Sequence, residues 1–351
     1  MTIVTPPRAL LLVLTLLIAV GAPALETMAR GKKQPTVEAS PPPPPPAPAG
    51  PVGLPDRLID DAASYETYLE KSTATTPGFS SGAQVADALR TGAAYEPKSL
   101  VRGAVAYAAV AVLADRTFIA SLRAAGNTPE NRRLMAGYLL TDPTYAFNFA
   151  DADAAAALAK QTLGTAGLRL WSAGRIVRKS AYDMQHQAWS KADVVDRSRR
   201  LSAVEGASLI APAPDLPPVL RRMIGSDDAL PVTAPRSPPP YSPLVARALQ
   251  LAAIAALGEA SDEAYDRLTT LTTESNTEAC LHMAKINLYQ CLAVAKPHYE
   301  DVFCLGQHIL LDTGACLARN VGYDLPPEPL PPEPAPTKAH GRAKARKAAR
   351  A

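Results

Sequence analysis

All four cysteines of the chain lie between Thr277 and Asn320, and three of its five histidines lie in the same stretch. Thiol and imidazole groups support two kinds of chemistry. They can form disulfides in an oxidising compartment, or they can hold a metal ion such as zinc. The residues concerned are Cys280, Cys291, Cys304 and Cys316, with His282, His298 and His308.

The elements around these residues have the pattern of two helices joined at a break. Ser275 followed by Glu278 is typical of a capping box, and apolar residues at helical spacing continue to about Ala295. Pro297 cannot continue the first helix, but it suits the first turn of a second one. The short connection predicts an antiparallel helical hairpin.

The distance of each cysteine from Pro297 predicts the pairing. Cys291 lies 6 positions before this proline and Cys304 lies 7 after it. Cys280 lies 17 before it and Cys316 lies 19 after it. Residues equally far from a turn lie level across a hairpin, so we expect two nested disulfides. Bonds within one helix are excluded, because eleven positions rise by about 16 Å and bridged Cα atoms lie within about 7 Å.

The second helix of this hairpin has an irregular phase. Twelve positions separate Cys304 from Cys316, which places them about 120° apart around an α-helix. We therefore expect Gly306 or Gly314 to bend or tighten this helix. The run resembles the twin-cysteine hairpins of small intermembrane-space proteins, with a wider spacing here. The resemblance implies the hairpin geometry and carries no function.

A metal site is the alternative use of the same residues. Cys304 and His308 lie one helical turn apart, and Cys291 would lie level with them. No fourth ligand accompanies these three, and zinc sites of this kind have four. We therefore expect disulfides, with no metal and no cofactor.

The N-terminus predicts export, which accounts for the oxidised cysteines. Arg8 is followed by an apolar run and then by small residues, and this pattern predicts a signal peptide over residues 1–24 that is cleaved near Ala24. The expected location is periplasmic or secreted. The alternative is an uncleaved anchor in the inner membrane.

The composition predicts an all-α fold, because alanine is abundant and aromatics make up only 5%. We expect a bundle-like body of several helices that carries the disulfide-stapled hairpin near its C-terminus. The 35 prolines are clustered and mark the boundaries. The predicted segments are a disordered proline-rich spacer (25–55), a helical domain (56–208), a proline-rich linker or strap (209–242), a helical region with the hairpin (243–323), and a disordered proline-rich and basic tail (324–351).

The first helical domain contains residues that are typical of helix starts. Thr128 and Pro129 have the types expected at the cap and first position of a helix, and Asp142 with Pro143 repeats the pair. The stretch from residue 151 to 191 predicts one long helix, or two joined near Gly164 or Gly167. Its two tryptophans, Trp171 and Trp189, are expected to be core or interface anchors, and a further helix is expected over about 192–204.

No enzymatic motif is present, and we predict no catalytic residues. The chain has no nucleophile elbow, phosphate loop, zinc-protease motif or dinucleotide fingerprint. His186 near Asp183 is expected to be an ordinary surface residue. Carboxylates close in sequence are expected to be solvated at caps and in linkers: Asp60 with Asp61, Asp151 with Asp153, and Asp227 with Asp228.

Two basic stretches of the sequence could bind anionic partners. We expect the first to be a solvated helix face interleaved with acids: Arg175, Arg178, Lys179, Arg197, Arg199 and Arg200. The second is the acid-free tail, which should bind anionic lipid or wall polymers with strong salt dependence: Lys338, Arg342, Lys344, Arg346, Lys347 and Arg350. Nucleic acid is an expected partner only if the chain is not exported.

These features favour an exported bacterial cell-envelope protein without enzymatic activity, which binds a protein partner and is tethered by its basic tail. One alternative is a helical hydrolase of cell-wall glycan, which would need a deep pocket holding a desolvated carboxylate. A second alternative is a metal or redox module built on the hairpin.

Overall fold

The computed structural model describes residues 49–207, 209–224 and 234–327, and these contain helices and no strand. The α-helices are α1 (Asp56–Thr73), α2 (Gly82–Ala93), α3 (Pro97–Val112), α4 (Arg116–Ala125), α5 (Pro129–Thr141), α6 (Ala152–Asp183), α7 (Ala188–Lys191), α8 (Arg197–Glu205), α9 (Leu216–Met223), α10 (Pro243–Ala256), α11 (Tyr265–Leu268), α12 (Ser275–Val294), α13 (His298–Cys304) and α14 (Thr313–Arg319). The all-α prediction is confirmed.

Side-chain caps explain several of the helix starts. Thr128 accepts a hydrogen bond from Asn131 N, with Pro129 at the first helical position as expected. At α12 the cap differs from the prediction. The Glu274 carboxylate accepts from Asn276 N and Thr277 N, and Ser275 is already helical.

Two alanine-rich helices, α3 and α10, lie at the centre of the core and pack against each other. Nearly every side chain of both is buried, from Leu100 to Leu113 in the first and from Leu244 to Leu257 in the second. Small side chains also let α3 approach α1 closely at Gly103, where an added Cβ would lie 2.5 Å from Asp61 O. Helices before and after the proline-rich segment therefore share one hydrophobic core.

The long stretch after residue 151 forms one unbroken helix past Gly164 and Gly167, α6, which ends at Asp183 and is followed by a 3-10 turn and the short α7. The helix α6 packs against the second half of the hairpin. The contact is made backbone to backbone at glycines. A Cβ at Gly174 would lie 2.4 Å from Leu311 N, and a Cβ at Gly314 would lie 2.4 Å from Trp171 N. These distances are shorter than van der Waals contact, so this packing requires glycine at both positions.

The described parts of the proline-rich segment lie against the helical body. Ile210 N donates to Ala94 O at 3.3 Å, and Ala213 N donates to Thr67 Oγ1 at 2.9 Å. Arg236 forms ion pairs at 2.7 Å with both Asp151 and Asp153 at the start of α6. The ion pairs of Arg236, with a hydrogen bond from Ser237 N to Asp153 O at 3.1 Å, hold this part of the segment beside the start of α6.

None of the described helices is long and apolar enough to cross a membrane alone. Only α3 and α4 reach that length and hydropathy when they are taken together, and they bend by 88° at the break between them. The predicted signal peptide and the six tail cations lie outside the described residues.

Candidate interaction site

The four cysteines form the two nested disulfides that their spacing predicts. Cys291 bonds to Cys304 with a Cα–Cα distance of 5.8 Å, and Cys280 bonds to Cys316 with a distance of 5.7 Å. The bonds join α12 to the second half of the hairpin at its closed and open ends. Two disulfides are consistent with an oxidising location outside the cytoplasm.

A widened helix accounts for the irregular spacing of Cys304 and Cys316. Residues Leu305–Asp312, between α13 and α14, form a π-helical segment. Its i→i+5 bonding fits roughly one extra residue into each turn, so the rotation between Cys304 and Cys316 is smaller than in a regular helix. The expectation that this helix tightens was therefore wrong. Gly306 and Gly314 instead allow the close approach of α6.

The three histidines of this region have different surroundings. His308 Nδ1 lies 2.8 Å from Asp312 Oδ2, and His282 is exposed. His298 packs over Gly82, and its ring centroid lies 6.2 Å from that of Trp189. Within the described ranges, no group of three or more His, Cys, Asp or Glu side chains is arranged to hold a metal ion.

Two arginines that were expected on a solvated face instead bind the end of α12. Arg200 is 8% exposed; it donates to Leu292 O and, at 2.5 Å, to Asp301 Oδ1. Arg197 donates to Ala293 O. Carbonyl groups in the last helical turn lack helical partners, and cations there are favourable. The predicted solvation was wrong for this pair because the acceptors lie about a hundred positions away.

This buried ion pair predicts a pH dependence of stability. Burial raises the pKa of Asp301 from 3.8 to about 6, although Arg200 lowers it. The folded state therefore holds its proton more tightly than the unfolded state, and this group favours folding more as the pH falls toward 4. Relative to Asp301→Asn, the wild-type free energy of unfolding should rise by about 1 kcal/mol from pH 7 to pH 5. Urea denaturation at both pH values measures this difference, and a constant difference would contradict the assignment.

The acid pairs are less solvated than expected. Asp61 forms an ion pair with Arg102 of α3 at 2.7 Å, and burial raises the pKa of Asp61. Asp151 and Asp153 bind Arg236, as described above. Asp60 is exposed, as expected, and Asp227 with Asp228 lies outside the described residues.

The other chemistry-bearing residues have ordinary roles. His186 is exposed, and Asp183 pairs with Lys179 at 2.6 Å on the surface of α6. Trp171 is buried against Leu311 under the Arg175 guanidinium, whose carbon lies 4.8 Å from the Trp171 ring. These side chains are part of the protein surface or of the helix packing.

Three of the surface clefts formed by the described residues have charged side chains in their linings. Two of them contain pairs of cations: one of about 320 Å³ contains Lys160 and Arg236, and one of about 460 Å³ contains Lys98 and Arg102 with four threonines. The desolvated carboxylates Glu66 and Asp301, whose pKa values are raised by burial, line none of the three. The third cleft lies beside α5.

The cleft beside α5 has an apolar floor and a charged rim. Its volume is about 210 Å³. The floor is formed by Ala136, Gly137, Leu140, Ile254, Ala264 and Leu268, and the rim by Arg133, Glu259 and Arg267. At Gly137 no atom lies within 4 Å of an added Cβ, so the cleft is open above the α5 backbone.

Aromatic rings form a row that starts at Tyr138 on α5 and continues into the turn after this helix. The ring centroids of Tyr138 and Tyr145 lie 5.2 Å apart, and those of Tyr145 and Phe149 lie 5.6 Å apart. Tyr138 is 48% exposed, and Leu134, one turn earlier on α5, is 57% exposed. We call this row, with Leu134 and the cleft beside α5, the α5 surface.

A tight turn after α5 positions the row. The Asp142 carboxylate accepts from Thr144 N at 2.8 Å and from Thr144 Oγ1 at 2.7 Å, and these bonds lower the pKa of Asp142. A 3-10 turn over Tyr145–Asn148 follows, with Ala146 buried beneath it. Asp142 and Pro143 were expected to start an α-helix, and this expectation was wrong because the carboxylate closes the turn locally instead.

Both neighbouring elements reinforce this turn. Gln250 of α10, which is buried, donates to Leu139 O at 2.6 Å. Tyr241, which follows the segment bound by Arg236, packs edge-on against Phe147 with ring centroids 4.6 Å apart. The turn that carries the aromatic row is thus held by α10 on one side and by Tyr241 on the other.

Comparison with known proteins identifies no relative. No family model matches the chain, and no curated protein or solved structure matches it significantly.

The α5 surface was not predicted from the sequence, although one signal was present. Four aromatic residues lie within the twelve positions from Tyr138 to Phe149, in a chain with 5% aromatics overall. Such local enrichment next to a turn signal indicates an exposed aromatic cluster, because an amphipathic helix would space its aromatics by three or four positions.

Proposed function

We propose that this chain is an exported cell-envelope protein, periplasmic or secreted, whose disulfide-stapled helical body binds a partner protein through the α5 surface. The observation that carries the proposal is the exposure of Leu134 and Tyr138 on α5, a helix that also borders an apolar cleft with a charged rim. Aromatic and apolar side chains surrounded by polar groups are typical of protein-binding surfaces.

The basic tail has a second role in this proposal, which is to tether the protein to an anionic surface. Its cations have no acids among them, so their attraction to lipid phosphate or wall polymer adds over the tail and weakens with salt. The proline-rich segments on either side of the helical body would then act as spacers.

A crosslinking experiment on the producing cells tests partner binding. We expect the tagged full-length protein to capture a specific envelope protein, and Tyr138→Ser to reduce that capture at least tenfold. Tyr182→Ser is the matched control, because Tyr182 is 58% exposed on the distant end of α6. Equal capture by both variants, or equal loss in both, would reject the α5 surface as the binding site.

The same cells can be fractionated to test the tail. Glutamine at all six tail cations should release the protein from the envelope at low salt, whereas the wild-type protein should be released only at high salt. Retention of this variant at low salt would exclude the tether.

A further inference from the structure

The solvent-facing side of α12 is largely apolar, like its buried side. The buried side packs on the core through residues at helical spacing: Thr277, Leu281, Ala284, Leu288 and Leu292. On the opposite side, five residues recur at alternating intervals of four and three positions, and we call them the α12 outer face: Ala279, Met283, Ile286, Gln290 and Ala293. A helix with one solvated side normally carries charged and polar residues there. The α12 outer face therefore has the composition of a covered surface.

This face is nevertheless exposed to solvent. Met283 is 50% exposed and Ile286 is half-buried, while the other three residues are exposed. Val294, which adjoins the face at the C-terminal end of α12, is 73% exposed. Val195 is also fully exposed, and it lies at the same end because the N–H of the preceding residue donates to Lys296 O at 2.9 Å. The apolar surface thus continues beyond the last residue of the outer face.

The spacing of the α12 outer face is that of two helices that pair side by side. Alternating intervals of four and three positions are the a and d positions of a heptad, which form the contact between paired helices. We propose that this face pairs with the same face of a second copy of this chain, with the two α12 helices antiparallel. A two-fold dimer of this kind is formed by one surface that contacts itself. The α5 surface takes no part in it, so this inference goes beyond the proposed function.

The charges of α12 favour a second copy as the partner. Within this helix only Glu278 and Lys285 are charged. The Lys285 ammonium is turned away from the outer face, because it donates to Ala93 O at 3.1 Å and to Tyr95 O at 2.7 Å. Two copies that pair through the outer face therefore bring no like charges together. A partner with a charged surface would instead bury a charge without a counter-ion, which is costly.

The ends of α12 favour the antiparallel direction. Glu278 lies in the first turn of the helix, and the exposed Lys296 follows its last turn. Neither side chain forms an ion pair with the described residues. Antiparallel pairing brings Glu278 of each copy toward Lys296 of the other and opposes the two helix dipoles. Parallel pairing would bring like charges together at both ends.

The side chains of the outer face also fit this direction. When the two-fold axis passes midway between Met283 and Ile286, Met283 of each copy packs against Ile286 of the other. Ala279 then lies opposite Gln290, where its small side chain leaves room for the longer one. Both large apolar residues of the outer face are thus covered by the second copy.

Sedimentation equilibrium of the protein purified from the producing cells, with its disulfides intact, tests the dimer. We expect a monomer–dimer equilibrium for the wild type. Met283→Glu brings two carboxylates close together across the two-fold axis and should weaken dimerisation at least tenfold. Ile176→Glu is the matched control, because Ile176 is 56% exposed on α6 and should not affect dimerisation. Circular dichroism verifies that both variants are folded.

Exchange of the two end charges tests the direction of pairing. Glu278→Lys places a cation near Lys296 of the other copy, and Lys296→Glu places an acid near Glu278. Each single variant should weaken dimerisation several-fold, and the double variant should recover the wild-type affinity because the attraction is restored with its signs exchanged. Damage to folding would add in the double variant and could not produce this recovery.

Three results would overturn the inference. The first is a wild-type protein that remains monomeric up to a concentration of about a millimolar. The second is a dimer that Met283→Glu leaves unchanged, since its interface would lie elsewhere. The third is a double variant that dimerises more weakly than both single variants, which would exclude the antiparallel pair.

Discussion

Gly174→Ala should destabilise the protein by about 2 kcal/mol or more, despite the higher helix propensity of alanine. The added Cβ would lie 2.4 Å from Leu311 N and 2.7 Å from Gly306 O, so α6 and the hairpin would have to move apart. Overpacking of a tight core typically costs about 1–3 kcal/mol, and here the obstructing atoms belong to the backbone, which cannot rotate away. Chemical denaturation followed by circular dichroism measures the change.

The same substitution on the α5 surface provides the control. Gly137 also lies inside a helix, but no atom lies within 4 Å of an added Cβ. Gly137→Ala should therefore raise the free energy of unfolding by about 0.5–1 kcal/mol, since only helix propensity changes. If both alanine variants shifted stability in the same direction, the close packing of α6 on the hairpin would be wrong.

Removal of both disulfides should have the largest effect on stability. The inner bond, Cys291–Cys304, closes a short loop and is expected to contribute about 3 kcal/mol. The outer bond, Cys280–Cys316, should contribute a similar amount, because the inner bond already constrains part of its longer loop. Losses of this size approach the total stability of about 5–15 kcal/mol that is usual for a domain. We expect the variant with all four cysteines changed to serine to be marginally folded.

Urea denaturation of four proteins separates the contributions of the two disulfides to stability. The proteins are the wild type, the Cys291→Ser/Cys304→Ser variant, the Cys280→Ser/Cys316→Ser variant and the fourfold variant. Each paired variant should lie between the wild type and the fourfold variant. Reductant should lower the denaturation midpoint of the wild type and leave that of the fourfold variant unchanged. An unchanged midpoint for reduced wild-type protein would contradict a structural role for the disulfides.

The hairpin could be predicted from sequence because its geometry depends on one local marker. Distance from Pro297 ranks the possible cysteine pairs, and helix rise excludes bonds within one helix. The buried α3 and α10 are likewise alanine-rich apolar runs in the sequence, and each begins at a proline, Pro97 or Pro243. In both cases the information lies within about one helix length of the residue concerned.

The features that escaped prediction depend on contacts distant in sequence. Arg200 looked like one of several surface cations, because its partner Asp301 follows 101 positions later. The need for glycine at Gly174 and Gly314 becomes apparent only when the two helices are in contact. Asp142 was misjudged for a local reason, since an aspartate before proline suits both a helix start and a tight turn.

The π-helical segment has a consequence for how this chain can vary. It brings Cys316 into register with Cys280 by accommodating one surplus residue, since 12 positions separate Cys304 from Cys316 and 11 separate Cys280 from Cys291. Loss of a single codon in this interval would therefore leave an ordinary helix in which Cys316 still lies level with Cys280. Gain of a codon would instead rotate everything beyond it by about 100°. A one-residue deletion within Leu305–Asp312 should thus be tolerated far better than a one-residue insertion.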